Sequence, residues 1–246
     1  MCTVSFLPLA EGFVLAMNRD EKKSRVRAEA PRRRPTGHNV SLHPAEPQGG
    51  SWIGINHKGL ALALIDWHEM GQRQGDLLSR GIVVPHLLKE GRLSDLRAKL
   101  ERLCLERINP FRLIAVSRSL GAIEEWRWDA TRLAVLPKPW RRQHWFSSSA
   151  GETTAQRLRA GVAAKAGRAI SAGTLPWLRR LHQSHGPQRG AFSICMHRDD
   201  AQTVSYAEIL AGRHRASMRY APGPLCREKP GAPVVLAFAS ARLPFA

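Results

Sequence analysis

Two short apolar runs open the chain, residues 2–7 and 12–17, separated by the turn-like stretch Pro8-Leu9-Ala10-Glu11. Short strand-like runs around such a break read as a β-hairpin. This hairpin limits what the rest can become: Cys2 is the first residue of a strand, and the polar run Asn18-Arg19-Asp20-Glu21 follows one hairpin later, its plainer reading being a salt-bridged turn. Further strands fit 51–56 and 60–65, joined by His57-Lys58-Gly59 after the Gly49-Gly50 pair. From 75 to 104 the apolar spacing turns helical, with Leu77, Leu78, Ile82 and Val83 in a first helix, broken before Pro85, and Leu93, Leu96, Leu100 and Leu103 in a second.

Strands return at 111–117, 126–128, 132–135 and 143–147, helices at 153–172 (after the start signal Glu152-Thr153-Thr154) and 175–185, and strands again at 191–196, 203–210, 216–220 and 234–239. Strands, then helices, then strands point to an α+β layered domain rather than a parallel βαβ fold. A glycine-rich dinucleotide fingerprint and a P-loop are absent. At 246 residues the chain fits one large domain, 1–246, around its own core.

No apolar stretch approaches the roughly 20 residues of a membrane-spanning helix, and no basic n-region precedes the first apolar run, so a cytoplasmic location is expected. Cys2, Cys104, Cys195 and Cys226 are scattered, form no CxxC pair, and fit reduced thiols; no metal is expected. The 38 Lys+Arg against 20 Asp+Glu give +18, partly concentrated in a proline-punctuated basic loop, 22–34, and around Trp140-Arg141-Arg142. Without a base-reading motif this charge implies non-specific polyanion contact at most.

Cys2 is the sharpest chemical feature. If Met1 is removed, one residue carries both a thiol and a free α-amine, hence nucleophile and base together. Arg19 is placed to lower the thiol pKa and Asp20 to hold the α-amine. The plainer reading is a small residue tolerated at a strand start.

Met1-Cys2, Asn18-Arg19-Asp20-Glu21, and Gly49-Gly50-Ser51-Trp52-Ile53-Gly54-Ile55-Asn56 followed by Lys58-Gly59-Leu60 together resemble the NRDE family, related to transport and Golgi organisation protein 2. The match is specific over the first third and looser at Pro139-Trp140, 145–149 and 191–207. The resemblance implies a four-layer α-β-β-α sandwich of the N-terminal nucleophile hydrolase type, similar to penicillin V acylases, bile-salt hydrolases and acid ceramidase. It also implies Cys2, Arg19 and Asp20 as catalytic residues, with Asn18, Glu21, Trp52, Asn56, Asp66 and Ser149 around the pocket. Arg and Asp adjoin here, whereas those hydrolases separate them by two residues, so Asn18 and Glu21 are alternative occupants. Asp66 and Ser148 or Ser149 fall where relatives carry oxyanion-binding Asn, and a carboxylate there opposes the developing charge.

His57, His68 and His86 follow the strand pair but match no metal-ligand spacing. The resemblance admits haem as a ligand, with no cofactor required and no CxxCH attachment motif. Among the seven tryptophans Trp52, Trp67, Trp126, Trp128, Trp140 and Trp145 are candidates for lining a cleft, and Arg189 for a late pocket arginine. The expected function is hydrolysis of a non-peptide amide through Cys2, on a small amphipathic ligand; the alternative is a non-enzymatic haem- or lipid-trafficking protein. The resemblance leaves oligomeric state open.

Overall fold

The computed structural model describes residues 2–36, 39–89 and 91–239. Met1, on whose removal an N-terminal nucleophile depends, lies outside them. In chain order the elements are β1 (Cys2–Leu9), β2 (Gly12–Lys22), β3 (Glu29–Thr36), β4 (Asn39–Ala45), β5 (Ile53–Asn56), β6 (Leu60–Asp66), α1 (Val83–Leu88) and α2 (Leu96–Glu101). There follow β7 (Phe111–Ser117), β8 (Ala122–Trp128), β9 (Leu133–Lys138), β10 (Gln143–Ser147), α3 (Glu152–Ala166), α4 (Leu175–His182), β11 (Ala201–Ala211), β12 (Arg215–Ala221) and β13 (Val234–Ala237).

The strands form two antiparallel sheets, one in the order β10-β1-β2-β11-β12-β13 and the other in the order β3-β4-β5-β6-β7-β8-β9. Three buried clusters show how they stack. Val4, Phe6, Leu15 and Met17 of the first sheet meet Ile53, Ile55, Ala61 and Ala63 of the second, forming the layer between the sheets. Val84 and Leu87 of α1 and Leu96 and Leu100 of α2 cover the second sheet's outer face through Leu62 and Leu113. Trp177, Leu178 and Leu181 of α4, with Ala163 of α3, cover the first through Val14, Ala16 and Tyr206. The result is the α-β-β-α sandwich expected. Strand alternation produces it: neighbouring residues face opposite layers, so β2 sends Leu15 and Met17 inward and Val14 and Ala16 to the helices.

Several expectations need correction. β2 does not stop at 17 but runs through Asn18–Glu21, because Asn18, Arg19 and Asp20 find tertiary partners described below. The basic loop is largely a strand: Arg32, Arg33 and Arg34 lie in β3, an edge strand of the seven-stranded sheet, where arginines and two prolines suit an edge that lacks a neighbour on one side. Pro85 sits in the first turn of α1, where its missing N–H costs nothing, rather than after a break. The run 191–196 is not a strand. Its apolar side chains Ile194, Cys195 and Met196 are buried, but its backbone bonds irregularly, Cys195 N–H donating to Ser184 O at 2.9 Å. α3 ends at Ala166 rather than 172.

Candidate active site

Cys2 pairs with Arg19 across the hairpin and with Ser147 on its other side. Directly paired residues share a face, so Cys2 and Arg19 both look into the space between the sheets, and Glu21 follows by alternation. Together with Asp20, Arg25, Glu46, Ser51, Trp52, Asp66 and Arg80 they line a cavity of about 410 Å3. Cys2 is 7% exposed, enough to border the cavity and too little to be hydrated. Burial therefore dominates its acidity and pushes the thiol up to about 11, with Asp20 and Asp66 adding to the rise.

Arg19 does not depress the thiol as expected. Its guanidinium is engaged by Glu46 in a close ion pair, lies 3.7 Å from Glu21, and stacks 4.3 Å above the Trp52 ring. Arg25 completes the network, 2.9 Å from Glu46 Oε2 and 3.7 Å from Glu21. Arg19 is thus a fixed wall of the cavity whose charge is already countered.

Asp20 belongs to another network. Arg159 of α3 is fully buried beneath the first sheet. Its Nη2 lies 3.3 Å from Asp20 Oδ2 and donates to Ala191 O at 3.3 Å, while Nη1 donates to Cys2 O and Thr3 Oγ1, each at 3.2 Å. Thr203 Oγ1 donates to Asp20 Oδ1 at 2.6 Å. Arg159 was missed because one arginine in a basic helical segment looks like a solvated surface charge; no spacing marks it. Arg189, proposed for a late pocket arginine, is exposed instead.

The remaining predicted residues divide by face. Glu21, Trp52 and Asp66 line the cavity. Asn18 faces the helix layer, where its amide donates to His182 O and Ile194 O, each at 2.9 Å, and its oxygen meets His182 Nδ1 at 3.0 Å. Asn56 faces α1: it donates to Gly91 O at 2.8 Å and accepts from Lys58 N and Leu60 N at 3.1 Å, so it fastens the β5–β6 turn beneath that helix. Ser149 is exposed, whereas Ser147, the partner of Cys2, is buried. Of the tryptophans named for a cleft, only Trp52 reaches this one; Trp126 and Trp128 fill the core under α1 and α2. His57, His68 and His86 do not converge: His57 accepts from Val40 N, His68 lies 3.5 Å from Asp66, and His86 lies in α1.

Asp66 is compensated rather than bare. Burial acts to raise its carboxyl, but nearby positive charge, Arg80 at 3.0 Å among it, and a His68 hydrogen bond outweigh it and hold the group well below the usual carboxylate range. The Trp52 Nε1–H is buried and has no hydrogen-bond partner among the described residues.

The model of the Transport and Golgi organisation 2 family matches residues 1–163, about two-thirds of the chain. The chain belongs to the Transport and Golgi organisation 2 family. Among solved structures, the family member resembles the C2A variant of a conjugated bile acid hydrolase from Clostridium perfringens, with a TM-score of 0.56 and 9% identity over 95% of this chain and 92% of that one. It also resembles a penicillin V acylase from Agrobacterium tumefaciens, with a TM-score of 0.55 and 12% identity over 99% of this chain and 87% of that one. No curated protein sequence matches it. At such identities the likeness is one of fold, and it is the N-terminal nucleophile hydrolase fold. Among the described residues, no helix of this Transport and Golgi organisation 2 family member is long and apolar enough to cross a membrane.

Proposed function

We propose that this protein hydrolyses a small non-peptide amide, with Cys2 as an N-terminal nucleophile. The observation that carries the reading is the placement of Cys2 at the start of β1, paired with Arg19 and bordering a polar cavity between the sheets. The likeness of the whole fold to a bile acid hydrolase and a penicillin V acylase supports it.

The reading requires Cys2 to be the first residue. With Met1 in place burial holds the thiol at about 11, protonated at neutral pH; attack needs a base beside it, and a free α-amine on Cys2 supplies one. The amine takes the thiol proton as sulfur bonds to the amide carbonyl carbon, and the carbonyl becomes an oxyanion. Collapse breaks the C–N bond, the α-ammonium protonates the leaving amine, and a thioester remains. Water, deprotonated by the same amine, then releases the carboxylic acid and restores the thiol. Arg159 and Thr203 hold Asp20 beside the nucleophile, and Arg159 binds the Cys2 carbonyl, fixing the strand end from which sulfur attacks.

Cleavage of a panel of N-acyl amides should be abolished by Cys2→Ala and by insertion of one residue ahead of Cys2. Turnover surviving either change would remove the mechanism.

A further inference from the structure

Away from the Cys2 cavity, four residues from separate stretches of chain bring metal-ligating atoms together: His185 just after α4, Cys195 and His197 ahead of β11, and Cys226 after β12. We propose that they form a closed site of two cysteines and two histidines for a structural zinc ion. The ligand atoms all lie within 4.8 Å of one another. Cys195 Sγ is 3.6 Å from Cys226 Sγ, and His197 Nε2 is 3.6 Å from the first thiol and 3.3 Å from the second. Zinc bonds of about 2.3 Å to sulfur and about 2.0–2.1 Å to nitrogen give a tetrahedron with edges of about 3.4–3.8 Å. Three corners are therefore already set at zinc spacing. His185 supplies the fourth: its Nε2 is buried without a hydrogen-bond partner among the described residues, and its ring packs against that of His197 with centroids 5.1 Å apart.

Thiolate plus imidazole, four-coordinate and with no position left for water, is the donor set of structural zinc. The site also answers a problem in the fold. Residues 183–200 run between α4 and β11 without a helix or a strand, a length of irregular chain that compact domains seldom hold unaided. A metal there ties the segment to itself at three points and to the loop after β12 at the fourth, and its binding energy becomes folding energy. The same segment supports the Cys2 region: Ala191 O accepts from Arg159, and Met196 N–H donates at 2.9 Å to the Thr203 hydroxyl that bonds Asp20. Spacing concealed the cluster, since the two thiols are 31 residues apart and only His197 lies near either in sequence.

The test is metal analysis of the purified full chain, reduced and handled without oxygen, followed by replacement of bound metal with Co2+. About one zinc per chain is expected, and the cobalt form should show thiolate charge-transfer absorption and tetrahedral visible bands. Cys195→Ser and Cys226→Ser should abolish that absorption, whereas Cys104→Ser and Cys2→Ser should leave it unchanged, separating this site from the cavity. Failure of the reduced wild-type chain to retain or take up metal would overturn the proposal, as would uptake unaffected by Cys195→Ser. A Cys195–Cys226 disulfide in freshly isolated protein would overturn it too. Should the serine variants not fold, the wild-type cobalt spectrum decides alone, thiolate bands supporting the site and their absence refuting it.

Discussion

Arg159 shows what one residue can carry in this molecule. Its fully buried guanidinium binds Asp20, the Cys2 carbonyl, the Thr3 hydroxyl and the Ala191 carbonyl at once. Replacing it by Met leaves the Asp20 carboxylate in the interior without its counter-charge, which should cost about 3–5 kcal/mol. Adding Asp20→Asn should recover part of that loss, measurable as a coupling term in denaturant titrations of the two single variants and the double. His182 makes a second residue-scale prediction. It bonds Asn18 Oδ1 and Ser5 Oγ, and Ser5 in turn meets His144. Burial lowers His182 to about 3 from an ordinary 6.5, and burial likewise lowers His144 to about 4. Below pH 6.5 the unfolded chain takes up protons that the folded chain refuses. Stability should therefore fall as pH drops from 6.5 towards 4, with up to about 1.4 kcal/mol lost per pH unit for each imidazole. His182→Gln should flatten that slope between pH 6.5 and 4; an unchanged slope would show that other groups set it.

At the scale of elements, the hairpin and the β5–β6 pair were legible because short apolar runs flank a break at residues 8–11 and another at Lys58-Gly59, although Pro8 itself proves to be paired with Phe13 within β1. The polar end of β2 was not, since Asn18–Glu21 has turn-like composition and the side chains of Asn18, Arg19 and Asp20 find partners 27 to 183 residues away. The apolar run 191–196 misled in the opposite sense: its side chains are buried as in a strand, yet β2 pairs with β1 and β11 and leaves it no ladder to join. Some motif residues prove to serve packing. At Gly54, a Cβ would come within 2.5 Å of Leu88 Cδ1 and 2.8 Å of His43 Cβ, so this glycine lets α1 lie close on β5. Gly54→Val should destabilise the fold by about 1–3 kcal/mol through overpacking, read as a lower urea midpoint, with little effect expected from the same change at exposed Gly121 beyond the strain of its positive φ.

For the whole molecule, the layer order was legible through family resemblance rather than through periodicity, which gave strands and helices but not which face met which. The recognisable motifs are concentrated in the first third, and the family model likewise stops at residue 163. Beyond that point the chain keeps the fold over nearly its full length at 9–12% identity to solved hydrolases, because burial on alternate strand faces can be satisfied by many sequences. The candidate site was half legible: Cys2, Arg19, Asp20, Glu21, Trp52 and Asp66 do meet at the cavity, whereas Arg159 depends on a long-range contact that no local pattern announces. The net charge of +18 is partly concentrated in residues 22–34 and around Trp140-Arg141-Arg142. Retention on a polyanion column should weaken steeply as salt rises, and salt-independent retention would show that the charge is not what binds.

The central claim is that Cys2 is a free N-terminal nucleophile, and intact-protein mass spectrometry tests it most directly, before and after brief exposure to a thiol-directed probe at neutral pH. The account predicts a chain lighter by one methionine residue carrying a single fast adduct on Cys2, while a form that keeps Met1 should react there only as pH approaches the thiol's value of about 11. Native protein that retains Met1, or a Cys2 that stays unlabelled once Met1 is gone, would contradict it.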